Sequence, residues 1–135
     1  MTKDDPPISA TSFILHGVQI YACAAAGKKL RTGRDATDMM SEGFEHQAEV
    51  LAIPAERFDE DFYRLRTGVA GEIVQKFMRY GGRVAVVGDI SQYIAASDAF
   101  RDFVRETNRG NTFWFVANIE ELGTRLERAR AKSGS

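Results

Sequence analysis

Apolar and polar positions alternate twice near the start of the chain. Ser12-Phe13-Ile14-Leu15-His16 reads as a strand, Gly17 as a turn and Val18-Gln19-Ile20-Tyr21-Ala22 as a second strand, so the pattern predicts an antiparallel hairpin. A polar loop from Gly27 through Gly33 follows, and the period then changes. Ala36, Met39, Met40 and Phe44 share one face of a helix that starts near Asp35, with Asp35 or Thr37 placed to accept the free amides of its first turn. Val50-Leu51-Ala52-Ile53 is a continuous apolar run ended by Pro54, the pattern of a strand buried on both faces.

Residues Phe58 to Gly68 are acidic and aromatic, then basic, and predict one or two irregular helical turns. Val69, Ile73, Val74 and Phe77 form the stripe of a helix over 69–80, which Gly81-Gly82 stops. Arg83-Val84-Ala85-Val86-Val87-Gly88 is the clearest strand in the chain. A helix over 97–108 presents Phe100, Phe103, Val104 and Thr107, and Gly110 follows its end. Thr112-Phe113-Trp114-Phe115-Val116 is the last strand. Asn118-Ile119-Glu120-Glu121 is close to a capping box and opens a final helix that buries Ile119, Leu122, Leu126 and Ala129.

The resulting order, β-β-α-β-α-β-α-β-α, predicts an α/β fold: a single domain with a mixed, mostly parallel sheet of about five strands, an N-terminal β-hairpin and four main helices joined by right-handed crossovers. The domain is expected over 12–130, between a flexible lead (1–11) and a flexible tail (131–135).

Charge and composition narrow the functional classes. Eighteen Lys and Arg against nineteen Asp and Glu give a net charge of −1. That balance offers no electrostatic footprint, so neither nucleic acid nor membrane is an expected partner. Cys23 is the single cysteine, which excludes an intrachain disulfide; set among alanines after a strand, it reads as a packed thiol. Met1 to Pro7 holds no apolar leader and no run approaches the ~20 residues of a membrane span, so a cytoplasmic location is expected. His16 and His46 have no metal-ligand spacing, and no metal or cofactor is expected. Gly-x-Ser-x-Gly, Walker and Gly-x-Gly-x-x-Gly patterns do not occur, so catalytic residues remain unassigned. Trp114, between Phe113 and Phe115, reads as a core and sheet-face residue.

Two stretches are distinctive. One runs Phe62-Tyr63-Arg64-Leu65-Arg66-Thr67-Gly68-Val69-Ala70-Gly71-Glu72-Ile73-Val74-Gln75-Lys76-Phe77. The other runs Arg83-Val84-Ala85-Val86-Val87-Gly88-Asp89-Ile90-Ser91-Gln92-Tyr93, followed by Phe100-Arg101-Asp102-Phe103 and Glu106-Thr107-Asn108-Arg109-Gly110. Together they resemble a bacterial domain-of-unknown-function family, number 4180. The order of elements is also similar to the SpoIIAA-like domains, a group that includes anti-sigma-factor antagonists and lipid-binding relatives; that likeness implies architecture.

Within these stretches lie the candidate binding residues. Arg64 and Arg66, beside Thr67-Gly68 at the entrance to the Val69 helix, can hold a carboxylate or phosphate in bidentate fashion. The plainer alternative has Thr67 capping that helix and the arginines paired with Asp59, Glu60 or Asp61. Asp89 and Ser91 follow the best strand at its carboxyl end, where ligands of open α/β sheets bind. Asp89 can orient a hydroxyl or a base. Ser91 can accept a phosphoryl group, as the similar Asp-x-Ser setting of anti-sigma antagonists implies, although the following Gln92-Tyr93-Ile94-Ala95-Ala96 departs from their pattern. The plainer alternative there is an Asx turn. Arg101, Asp102, Arg105, Glu106 and Arg109 share a helix face that reads as solvated charge.

The leading expectation is a non-enzymatic regulatory or protein-interaction module. The second is a binder of a small anionic ligand, or a small hydrolytic enzyme with Asp89 as acid or base and Arg66 holding the anionic group. A common apolar pocket of roughly 300 Å³ or more, faced by both Asp89 and Arg66, would favour the second. A homodimer through the edge strand or the longer helices is compatible with either.

Overall fold

Two residues with positive φ, His16 at 50° and Gly17 at 80°, join β1 (Thr11–Leu15) to β2 (Val18–Ala22). Such a turn matches the twist of the strands it connects and closes the expected antiparallel hairpin. The computed structural model describes residues 10–133. Next to β2 lie β3 (Val50–Pro54), β4 (Arg83–Val87) and β5 (Phe113–Val116), each parallel to its neighbour, so the five strands stand in chain order. All of β3 is buried, as its unbroken apolar run requires.

The helices are α1 (Gly33–Glu45), α2 (Val69–Arg79), α3 (Ser91–Ala96), α4 (Asp98–Arg109) and α5 (Ile119–Ser133). Strand alternation sorts the core into two layers. Leu51, Ile53, Val84, Val86, Phe113 and Phe115 meet Met40, Ile73, Phe77 and Phe100 on the face covered by α1, α2 and α4. Val50, Ala52, Ala85, Val87, Trp114 and Val116 face Leu122 and Leu126 of α5. Ala22, Ala52 and Ala85 pair in register, and Ala85 pairs with Trp114. Three adjacent methyl groups leave room for α5 to lie close to the sheet, and the indole fills the end of the row.

Several local expectations need correction. Thr32 caps α1, in place of Asp35 or Thr37. Its hydroxyl accepts the Asp35 amide at 3.2 Å, while the Asp35 carboxylate accepts the Thr32 amide at 3.1 Å, a reciprocal box. Phe44 is 54% exposed and lies off the buried stripe, which runs instead through Gly43. The reason is space: a Cβ on Gly43 would stand 2.8 Å from Leu51 Cδ2, so backbone packs there directly on the sheet. Gly43→Ala is therefore expected to cost about 1–3 kcal/mol by overpacking. Phe44→Ala should stay within about 0.5 kcal/mol. Urea unfolding curves of the two variants check this ranking.

Phe58 to Gly68 holds two 3₁₀ turns, Glu60–Tyr63 and Leu65–Thr67, as expected, and a further one, Ala55–Arg57, precedes them. The helix expected over 97–108 runs one residue later at each end, with Ser97 as its cap, and α3 before it had no counterpart in the sequence reading. Thr11, expected in the lead, belongs to β1, and α5 runs on through Ser133, within the range expected for the tail. Residues 1–9 and 134–135 lie outside the described residues. Among the described residues no helix is long and apolar enough to cross a membrane.

Candidate functional site

The chain leaves β3 at Pro54 and β4 at Val87, both at the carboxyl edge of the sheet. The 3₁₀ turns follow the first and α3 follows the second, and a cleft of about 570 Å³ opens between them. Its base is a pair of tyrosines. Tyr63 and Tyr93 stack with ring centroids 4.0 Å apart and planes 6° from parallel. Tyr63 is itself fixed from below by the edge-on ring of Phe100 at 5.6 Å, and its hydroxyl donates to the Ala55 carbonyl at 2.5 Å. Burial, and then the neighbouring Tyr93, push the Tyr63 phenol well above its ordinary range, so it stays a neutral donor. Leu65, Ala96 and Ala99 add apolar wall.

Arg64, Arg66, Glu60 and Ser97 supply the polar groups of the lining. Arg64 lies 3.7 Å from Glu60, both well exposed, a pair worth little. Arg66 forms no ion pair among the described residues; Asp59, one of its expected partners, is held by Arg31 at 3.0 Å. Ser97 accepts the Phe100 amide at 3.1 Å, so its oxygen is engaged as a helix cap while its hydroxyl proton is free to donate. The Tyr93 hydroxyl has no partner among the described residues.

Of the six candidate binding residues, the cleft brings together Arg64 and Arg66. Thr67 stands behind them: its hydroxyl lies 2.7 Å from the Asp61 carbonyl and 2.8 Å from that of Arg64, and accepts the Val69 amide at 3.3 Å. Those contacts lock the turn that carries both arginines. Gly68 adopts φ 81°, the left-handed geometry in which the chain turns into α2 without a Cβ penalty. Asp89 and Ser91 do not line the cleft. Asp89 Oδ1 accepts the Ser91 amide at 2.9 Å, the Asx turn that leads into α3. That hydrogen bonding with Ser91 holds the exposed Asp89 carboxyl below its ordinary range. Arg66 and Asp89 therefore do not share a pocket.

Sequence reasoning missed Tyr63, Tyr93, Ala96, Ser97 and Ala99 as site residues. The aromatics were visible, but nothing local signals that two tyrosines thirty positions apart stack. The other candidate chemistry is committed elsewhere. His46 stacks on Tyr21 at 4.4 Å, and Cys23 is buried with its thiol 3.2 Å from the Met39 sulfur. Among the described residues no three His, Cys, Asp or Glu side chains converge as a metal site would require.

A family model described as Domain of unknown function (DUF4180) matches residues 15–126, most of the chain, and the chain belongs to that family. The match includes every residue lining the cleft. No curated protein and no solved structure matches the chain.

Proposed function

We propose that this member of the DUF4180 family is a small-molecule binding module whose ligand carries an anionic group on an apolar or aromatic body. The observation that carries this reading is the cleft itself: roughly 570 Å³ at the carboxyl edge of the sheet, apolar at its base, with the Arg66 guanidinium in its lining, unpaired among the described residues. That volume lies within the ~300–1,000 Å³ of pockets that take small molecules. In this reading Arg66 holds the anion, Arg64 adds charge once released from Glu60, and the free hydroxyls of Tyr93 and Ser97 orient polar atoms. Binding is favoured over turnover because no His or Cys stands among the described lining residues to act as base or nucleophile, and the Tyr63 hydroxyl is spent on the Ala55 carbonyl.

The protein-interaction alternative has less support from its obvious surface. On α4, Arg101 pairs with Asp98 at 3.4 Å, Arg105 with Asp102 at 3.8 Å and Arg109 with Glu106 at 3.4 Å. Three arginines set against three acids leave this face with no net sign for a charged partner to match.

The test is a thermal-shift screen of aromatic carboxylates and phosphate monoesters, followed by calorimetry. A true ligand at about 100 times its Kd stabilises the fold by about 2.7 kcal/mol. Arg66→Gln should weaken it about tenfold or more. Ala99→Trp, a change at an exposed helix position that fills the cleft, should abolish binding while the fold persists. Ligands whose affinity both variants leave unchanged would refute the assignment.

A further inference from the structure

At the opposite edge of the sheet, before β5, a second and more polar pocket of about 270 Å³ lies between the end of α4, the Gly110-Asn111 turn and α5. We infer that it is a separate binding site for a small oxyanion, such as a free phosphate or the phosphate group of a small ester. Three arginines, Arg109, Arg125 and Arg128, line it together with Asn108 and Asn111, and among the described residues no carboxylate does. Arg109 is partly engaged by Glu106 at 3.4 Å, whereas Arg128 is exposed and has no ion pair among the described residues.

Arg125 is the fixed element. Its guanidinium lies over the Trp114 ring, 4.9 Å from the centroid, and it donates to the Asn108 carbonyl. Its Nε is buried and has no acceptor among the described residues, so the guanidinium presents itself to the pocket through its terminal nitrogens. The wall behind it is equally rigid. The Trp114 indole N–H donates to the Gly110 carbonyl at 2.7 Å. The Asn108 amide closes the outer edge of β5, accepting the Phe115 amide at 2.7 Å and donating to its carbonyl at 3.3 Å.

Arg125 and Arg128 are three residues apart on α5 and so share a face. Burial lowers the proton affinity of Arg125; Glu121 partly offsets this, and the neighbouring Arg128 charge adds to it. Cations gathered at one pocket, with no acid among the described lining residues, are relieved by an anion, and Arg125, held over Trp114, is preorganised to receive one. The ligand is small and polar because the large ring beneath, Trp114, is only 2% exposed and gives an apolar body nothing to lie on.

Trp114 is the single tryptophan and lines this pocket, so its fluorescence follows binding there. Inorganic pyrophosphate titrated into the full chain at low, constant ionic strength should give a saturable change with Kd of about 1 mM or tighter. Arg128→Gln should weaken binding about tenfold with the unfolding midpoint unchanged. Arg66→Gln should leave it as in the parent protein, which separates this site from the cleft. No saturable change up to about 10 mM, or an affinity that Arg128→Gln does not alter, overturns the inference.

Discussion

Phe62→Ala is expected to remove about 3–5 kcal/mol of stability and to take the cleft with it. Phe62 is fully buried, and its ring packs against Phe58 at 4.4 Å, Tyr63 at 5.1 Å and Phe115 at 6.2 Å. Truncation leaves a cavity among aromatic rings that cannot collapse far, because Phe115 belongs to the sheet and Tyr63 is clamped by Tyr93 and Phe100. Domains of this kind have about 5–15 kcal/mol in all, so the loss is a large share. It also falls on a particular element. The 3₁₀ segment is held by single-turn hydrogen bonds, such as the Phe62 amide to the Asp59 carbonyl at 2.9 Å and the Arg64 amide to the Asp61 carbonyl at 3.2 Å, and Phe62 is its deepest apolar anchor; Tyr63, Arg64 and Arg66 follow closely. Phe62→Leu should cost less and keep the segment seated. Urea unfolding of both variants, with ligand binding measured on Phe62→Leu, checks the argument. A loss below about 1 kcal/mol for Phe62→Ala would mean that the segment is held by something other than its aromatic anchor.

Periodicity made most of the fold legible. The unbroken run at 50–53, the helix with Ile73, Val74 and Phe77 buried and Val69 half-buried, and the run at 83–87 occur where the apolar pattern predicts them. Details decided by single contacts were not legible. Phe44 fits the helical period as well as Gly43, and only the position of Leu51 makes the glycine the inward residue. Helix α3 is short and buries no residue fully, so it leaves no apolar stripe to read. The site divides in the same way. Arg64 and Arg66 stood out because basic residues before a glycine and a helix form a local pattern. Asp89 and Ser91 stood out for an equally local reason, which proved to be their own turn. Tyr93 joins the cleft by stacking across two connections, and Arg125 and Arg128 gain meaning only from Trp114 and the turn before β5. Non-local convergence of this kind has no period and no spacing to betray it.

Between about pH 9 and 12 the native state is expected to lose about 3–4 kcal/mol through Cys23 alone. The thiol lies in the core against Met39, and burial pushes it from its ordinary 9.0 up to about 12; Glu42 adds to the rise and Arg57 opposes it. The buried form is the neutral one. Below the unfolded value both states keep the proton, and stability is whole. As pH rises towards the folded value, the unfolded chain releases a proton that the folded chain retains, so stability falls by up to about 1.4 kcal/mol per pH unit. Tyr21, raised by burial and by its 2.6 Å hydrogen bond to Glu42, and Tyr63 act in the same direction, so the whole alkaline slope is not due to the thiol. Cys23→Ala isolates it. The variant carries a packing loss that does not depend on pH, and its stability should fall less steeply than the parent's from pH 9 to 12, the difference summing to the amount above. Denaturant unfolding at a series of alkaline pH values reads both slopes. Parallel slopes would mean that the thiolate reaches solvent without unfolding, and the layer between β2 and α1 would then have to open on its own. Because Cys23 follows the hairpin directly, such an opening would also free the 3.2 Å contact to Met39, and a thiol reagent at neutral pH would label the native protein quickly.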